Sequence, residues 1–398
     1  MMRQVLREAD RIQPELVEIR RQIHKNPELG FEEWETAQLI HKKISRQGLL
    51  ITGGIARTGI AALLQVKGAN KTVALRADMD ALPIEEQADV PYKSAKKGVM
   101  HACGHDAHVA MLIGAQKILC SIKPALKVNV KFIFQPCEEQ LNGGAQTMIK
   151  EGVMENPRVD AIFGFHVNPY MPSGFVGIKE GIVMAAADRF RVEIKGRGGH
   201  AAAPHQATDP IIVASHVVQA LQNIVSRQVD PAEPVVVSVC SIQGGNSFNI
   251  IPALVVLAGT VRTIDPNIQQ QMPERIKEIV RGVTSAFGAG HTVDYRWGCP
   301  ALVNNREMTE IVRSAGAGIV GSHRVLVVTT PSMGAEDFAF FTGLVPGAYF
   351  FLGVKSNGSE TYPWHNPMFD IDESALSTGA ALLAGCVLCA QEKLEETG

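Results

Sequence analysis

The sequence predicts an α/β fold whose main domain is interrupted by a smaller α+β domain. Three observations lead there: the length, a helix–strand alternation over roughly the first 180 residues, and a change of pattern near residue 188 that reverts near residue 298. A chain of 398 residues is long for one hydrophobic core, so two domains are expected.

The alternation rests on short apolar runs at 73–77, 128–134 and 161–167, the kind that buried strands of an α/β sheet produce. Helical stretches lie between them at 107–119 and 144–151. RFRVEIKG then reads as a strand and 209–226 as a helix. PVVVSVCSI and ALVVLAGTVRTI read as two strands, 268–286 as a helix and HTVDYRW as a last strand. The order βαββαβ is that of the split-βαβ, ferredoxin-like unit. After Gly298 the first pattern resumes, with a strand at 348–354 and a helix at 373–389. The expected domains are therefore 1–185 together with 298–398, and an α+β insert at 186–297.

Hydrophobic residues make up 46% and charged residues 20%, which fits an ordinary globular enzyme. The formal net charge of -2, with no long run of like charges, argues against nucleic-acid and anionic-membrane partners. The segment MMRQVLREADRIQPELVEIRRQIHK has a charged amphipathic pattern with no apolar core, so a helix is expected there rather than a signal peptide. No apolar run reaches the roughly 18 residues of a membrane span. Seven cysteines at irregular spacing argue against a disulfide framework and for a reducing cytoplasm. Cys386 and Cys389 form a C-x-x-C inside ALLAGCVLCA, and without a second such pair they read as helix core.

The densest chemistry is HACGHDAH at 101–108, which packs His101, Cys103, His105, Asp106 and His108 ahead of a helix. Imidazole and thiolate both suit zinc or its neighbours, although structural loop histidines would look the same in isolation. The placement of other groups favours the metal. Asp78 and Asp80 follow one apolar strand, Glu138 and Glu139 follow another, and His166 sits at the end of a third. In open α/β sheets the ligand crevice lies beyond the carboxyl ends of the strands. Adjacent carboxylates point different ways, so one of Glu138 and Glu139 can hold a metal while the other serves as the base that hydrolysis requires. Without the His/Cys cluster the pair would read as solvated acids.

Eight segments then occur in order across almost the whole chain: RADMDALP, HACGHDAH, QPCEE followed by GGAQTMIKEG, GRGGHAAAPH with DP behind it, NIIP, GTVRT, GAEDF and WHNPMFDID. Together they resemble the amidohydrolase branch of the aminoacylase and carboxypeptidase dinuclear metallopeptidases. That branch includes hippurate hydrolases, N-acyl-amino-acid deacetylases and indole-3-acetyl-amino-acid hydrolases. The resemblance implies a discontinuous metallopeptidase-like catalytic domain with an inserted dimerisation domain, in a homodimer or dimer of dimers. It implies two divalent metal ions per subunit, Zn2+ or Mn2+ with Co2+ and Ni2+ also compatible, held by Cys103, His105, Glu139, His166 and His365. Glu138 would be the general base, and Asp80 would support the site from behind the ligands. His365 lies in an irregular stretch that unaided reads as loop.

By the same resemblance, His200 on its glycine-rich loop reaches the partner subunit's active site and stabilises the oxyanion, and Asn249 and Arg262 hold the substrate. Arg262 suits an α-carboxylate. The departures are small. Cys137 stands where the family usually has Ala, and Ile250 where Val is usual. Asp78 stands where the wider clan has a ligand His, which leaves the role of Asp78 open.

The activity implied is hydrolysis of the amide of N-acyl-L-amino acids to a carboxylic acid and a free amino acid. Carboxypeptidase or dipeptidase action on short peptides is the alternative on the same fold. A zinc nucleobase deaminase needs H-x-E and P-C-x-x-C, but Pro136 and Cys137 are followed by Glu138, Glu139 and Gln140. A cysteine hydrolase built on Cys103 and His105 would be insensitive to chelators. A non-catalytic binding protein would be expected to have lost Glu138 or a ligand, and none is lost.

Overall fold

The computed structural model describes residues 1–141, 143–356, 358 and 360–396, and the chain forms two compact units. The first comprises Met1–Val183, Val303–Thr330 and Asp337–Gly398; the second comprises Met184–Leu302 and Pro331–Glu336.

The first unit is a mixed α/β structure on one eight-stranded sheet. Its order is Leu50–Ile55, Gly59–Leu64, Asn129–Gln135, Thr72–Asp78, Ala161–Pro172, Gly347–Lys355, Val176–Ile178, Val325–Val327. The four strands from Asn129–Gln135 to Gly347–Lys355 run parallel. Burial on both faces explains their nearly continuous apolar sequence. The hairpin of Leu50–Ile55 and Gly59–Leu64 extends the sheet in antiparallel fashion. Apolar runs do not reveal its outer strand, LITGGI, because that strand is exposed and interrupted by glycine.

Helices Met2–Lys25, His105–Ser121, Arg306–Val320 and Ala375–Glu396 pack on one another against this sheet. Met2–Lys25 does so through the stripe Val5, Ala9, Ile12, Leu16, Ile19 and Ile23. A Cβ on Gly114 would stand 2.7 Å from Ala380 Cβ, so glycine is what lets His105–Ser121 approach the last helix. Residues Ala375–Glu395 are long and apolar enough to cross a membrane, which the sequence reading did not expect. In its most apolar 18-residue window 78% of the residues are buried inside the protein, the signature of a core helix. Cys386 is buried and Cys389 half-buried on it, both as free thiols.

Register explains how the sheet assembles a site. Leu75 pairs with Phe163, so three residues further along each parallel strand Asp78 comes level with His166. The strand of His166 does not stop there but continues to Pro172, which corrects the expectation that His166 ends a strand. Its neighbour ends at Asp78, and the chain that follows is free to turn over the sheet edge.

In the second unit a four-stranded antiparallel sheet has the order Val235–Gln243, Leu254–Thr263, Ala186–Lys195, Gly290–Arg296. Helices Pro210–Asn223 and Pro266–Ala286 pack on it around Val192, Val217, Leu221, Leu257, Met272 and Ile276. The connectivity is that of a split-βαβ unit. Each helix starts at an Asp-Pro step. Asp209 accepts from Ile211 N–H and Asp265 from Asn267 and Ile268 N–H, with proline at the first helical position where no donor is needed. A two-stranded ribbon pairs Gly199–His200 with Ile250–Ile251.

Candidate metal centre

The helix His105–Ser121 begins at Gly104, whose φ is +90° and whose Cβ, if present, would stand 2.4 Å from Val167 Cγ2. Glycine alone satisfies both the left-handed conformation and the close approach. Through it the HACGH loop lies directly against the strand that carries His166. His365 joins the loop by its backbone, donating its N–H to Ala102 O at 2.8 Å, while Trp364 Nε1 donates to Val167 O at 3.0 Å.

Five overlapping groups of donor atoms result among the described residues. Those of Cys103, His105 and His166 lie within 4.8 Å of one another, and so do those of Cys103, Glu139 and His365. Cys103 belongs to both. His105, Glu138 and Glu139 form a further overlapping group, so Glu138 stands beside the ligand candidates. The five residues expected as ligands are thus brought together in the first unit, with Asp80 and Glu138 around them.

The hydrogen bonds leave lone pairs where ligation needs them. His166 Nδ1 is 2.8 Å from Val167 O, so it carries the proton, and Nε2 turns its lone pair to Cys103 Sγ, from which it accepts at 3.3 Å. His105 Nδ1 is 2.9 Å from Asp80 O and 3.1 Å from Asp80 Oδ1, which turns Nε2 to the other side, where Asp78 Oδ2 stands 3.8 Å away. His365 Nε2 lies 3.1 Å from Glu139 Oε1, yet that buried oxygen makes no hydrogen bond of acceptable geometry. The two atoms belong with Cys103 Sγ to one donor group.

His108 is different. It donates from Nδ1 to Asp78 Oδ1 at 2.5 Å, and its Nε2 accepts from Val167 N–H at 3.0 Å. Both nitrogens are spent. Asp78 is spent too, since its second oxygen accepts from the fully buried Arg76 at 2.7 Å. His101 is buried with neither ring nitrogen hydrogen-bonded, and it joins none of the donor groups.

Electrostatics favour a cation here. Burial and the Glu139, Glu138 and Asp78 carboxylates push the Cys103 thiol well above its ordinary range, so a thiolate needs a positive partner. Burial would depress His105, but Asp78, Asp80 and Glu139 overcome it and push that imidazole up to about 10. Burial and the neighbouring His108 hold His166 well below its usual value, hence neutral as a ligand must be. A mixed S/N/O donor set that includes a buried carboxylate oxygen without a hydrogen bond fits divalent transition metals.

Sequence reasoning missed the supporting groups. Arg20 and His24 are fully buried on the apolar face of the first helix and hold Asp106, with Arg20 Nε 2.7 Å and His24 Nδ1 2.8 Å from Asp106 Oδ2. Glu86 accepts from His24 Nε2 at 3.1 Å. The available signal was a basic residue at the i+4 positions that continue the stripe past Leu16. Asp337, from GAEDF, accepts from Arg76 and Gln135 and donates its N–H to Glu138 Oε1 at 3.3 Å.

His200, Asn249 and Arg262 belong to the second unit. His200 lies on the ribbon and Asn249 in the exposed turn beside it, where Ala201 N–H donates to Asn249 O at 3.0 Å. Ala202 N–H donates to His200 Nδ1 at 3.0 Å, so the ring proton is on Nε2 and free to be donated. Arg262 is half-buried on Leu254–Thr263, opposite Val236 and Ala187.

Comparison with known proteins agrees with this geometry. The chain is 40% identical over 376 residues to thermostable carboxypeptidase 2 of Saccharolobus solfataricus, covering 93% of this chain and 94% of that protein. It is 40% identical to N-acetyl-L-cysteine deacetylase of Bacillus subtilis, covering 92% of this chain and 85% of the other. Among solved structures, a Bacillus subtilis protein described as a dinuclear metal binding peptidase from the M20 family superposes with a TM-score of 0.81 at 34% identity, over 96% of this chain and 99% of that one. Residues 74–388 match the family itself, and the chain belongs to peptidase family M20/M25/M40.

Proposed function

We propose that this protein hydrolyses the amide bond of N-acyl-L-amino acids, releasing a carboxylic acid and a free amino acid, with the help of two divalent metals. The carrying observation is the pair of donor groups that share Cys103. Cys103, His105 and His166 would hold one metal, and Cys103, Glu139 and His365 the other, zinc or manganese being the first candidates. When bound, the metals supply Lewis-acid polarisation and make a water acidic near neutral pH.

The protein's own groups do the rest. Glu138 takes a proton from the attacking water as its oxygen bonds to the acyl carbon. It then delivers that proton to the departing nitrogen as the C–N bond breaks. Asp80 keeps His105 in the required tautomer. The second unit serves as dimerisation domain, His200 Nε2–H donates to the carbonyl oxygen as it gains charge, and Asn249 and Arg262 hold the substrate carboxylate. Support for the acyl reading comes from the relative named as a deacetylase.

A carboxypeptidase reading has its own support in a relative of that name at equal identity. Chelation should abolish hydrolysis, and about two equivalents of divalent metal per chain should restore it. Full activity in verified metal-free protein would overturn the proposal. Acetyl-, benzoyl- and indoleacetyl-amino acids assayed beside dipeptides in defined metals then separate the two readings.

A further inference from the structure

Glu33 is a fully buried carboxylate outside every donor group. Its two oxygens accept from Cys137 N–H at 2.9 Å and from Thr58 Oγ1–H at 2.5 Å. We propose that Glu33 is a positioning residue for the reaction, holding through Cys137 the chain reversal that aims Glu138 and Glu139. The proposal rests on the reading of Glu138 as base and Glu139 as metal-holding group.

Cys137 is the residue that needs holding. It follows the strand Asn129–Gln135 and precedes the two glutamates, and its φ is +52°, a conformation that a residue with a side chain rarely adopts. Such a backbone persists only where its surroundings over-determine it. Here they do. Glu33 takes the Cys137 N–H, and Cys137 O accepts from Gly144 N–H at 2.8 Å. Gly30 closes the other side, where a Cβ would stand 2.6 Å from Cys137 Sγ. Releasing the N–H frees the chain to relax toward an ordinary φ, and the carboxylates that follow would swing with it.

The second anchor follows a strained turn. Thr58 follows Ala56 and Arg57, at φ +48° and +74°, in the tight turn between Leu50–Ile55 and Gly59–Leu64. That turn presents the Thr58 hydroxyl to Glu33. One buried carboxylate therefore ties a left-handed Cys137 to the residue that follows a left-handed turn. Burying a carboxylate is costly unless its oxygens are satisfied, and both of these are. A carboxylate with this role acts through geometry, so a neutral isostere that still accepts from Cys137 N–H should replace it.

The test compares Glu33→Ala, Glu33→Gln and Glu33→Ala combined with Cys137→Gly by kcat, KM, bound metal and melting temperature. Glu33→Ala is expected to lower kcat about 10- to 100-fold with KM little changed, the scale of a misplaced catalytic group. Glu33→Gln should recover most of that loss. Glycine enters the left-handed region unaided, so Glu33→Ala should cost clearly less in the Cys137→Gly background. A kcat within about twofold of wild type in folded Glu33→Ala overturns the proposal, as does an equal cost in both backgrounds with no rescue by Gln. If Glu33→Ala does not fold, Thr58→Val removes one anchor and leaves the carboxylate. A fall of about threefold or more in kcat then supports the proposal, and an unchanged kcat overturns it. Glu138→Gln is measured alongside. If it keeps its activity, the base reading fails and the positioning role falls with it. If it is inactive while Glu33→Ala is not, only the positioning role fails.

Discussion

Glu139 is tied to Asp80 through its backbone: the Glu139 N–H donates to Asp80 Oδ2 at 3.1 Å, while Asp80 Oδ1 stands 3.1 Å from His105 Nδ1. One buried carboxylate thus orients a candidate ligand from each of the two donor groups that share Cys103. Asp80→Ala should weaken metal binding about 10- to 100-fold, the usual cost of losing a partner behind the ligands. Calorimetric metal titration of the variant checks this. Unchanged affinity would show that the backbone carbonyl of Asp80 alone suffices to fix His105.

Arg20 meets three carboxylates while completely buried, with Asp106 at 2.7 Å, Asp370 at 2.7 Å and Glu373 at 3.2 Å. Burial opposes its charge, but these carboxylates hold the guanidinium pKa well above its ordinary value. Arg20→Met leaves Asp106 buried with His24 as its remaining partner. Breaking a buried pair in this way costs about 3–5 kcal/mol. Denaturant unfolding measures it, and a loss below about 1 kcal/mol would show that the cluster relaxes and admits water.

Cys103 and His105 were legible in the sequence as a dense His/Cys cluster ahead of a helix, and Glu138, Glu139 and His166 because each follows or joins an apolar strand, and parallel strands deliver their carboxyl ends to one edge. His365 was not, since it sits at φ +64° in an irregular stretch placed by the His365 N–H bond to Ala102 O and the Trp364 bond to Val167 O. Asp78 was ambiguous because sequence cannot show that Arg76 and His108 occupy both its oxygens. Glu33 was invisible for the same reason: an acid ahead of a helix usually faces water, and its burial depends on a hairpin and a turn distant in sequence. Periodicity reports which face an element buries, not which buried polar groups meet.

A pH dependence of stability should follow from Glu33. Burial pushes its carboxyl up to about 7 against the hydrogen bond from Thr58, with the Asp80 charge adding to the rise. The folded protein therefore binds this proton more tightly than the unfolded chain, whose value is about 4.5. The contribution to stability is fully present below about 4.5 and is lost as pH rises to about 7, by at most about 3 kcal/mol. Glu33→Gln carries no such proton. Chemical unfolding of metal-free protein should find the variant gaining on wild type between these pH values and no further change above them. Parallel stability curves for the two proteins would contradict the assignment.

The last prediction concerns where His200 acts. With Ala202 N–H donating to Nδ1, the imidazole has its proton on Nε2, exposed on its ribbon. Removing an oxyanion donor costs roughly 100- to 1,000-fold in rate, so His200→Ala and Glu138→Ala proteins should each be nearly inactive. The two variants are then unfolded and refolded together. If the second unit of one chain serves the catalytic unit of the other in a symmetric dimer, half of the randomly formed dimers are mixed. Each mixed dimer has one site in which an intact Glu138 meets an intact His200. Roughly a quarter of wild-type activity should return. If His200 serves its own chain, every site in the mixture lacks one group and nothing returns. Absence of recovery, with mixed dimers demonstrated by differential tagging, would place the histidine in its own chain's site or outside catalysis.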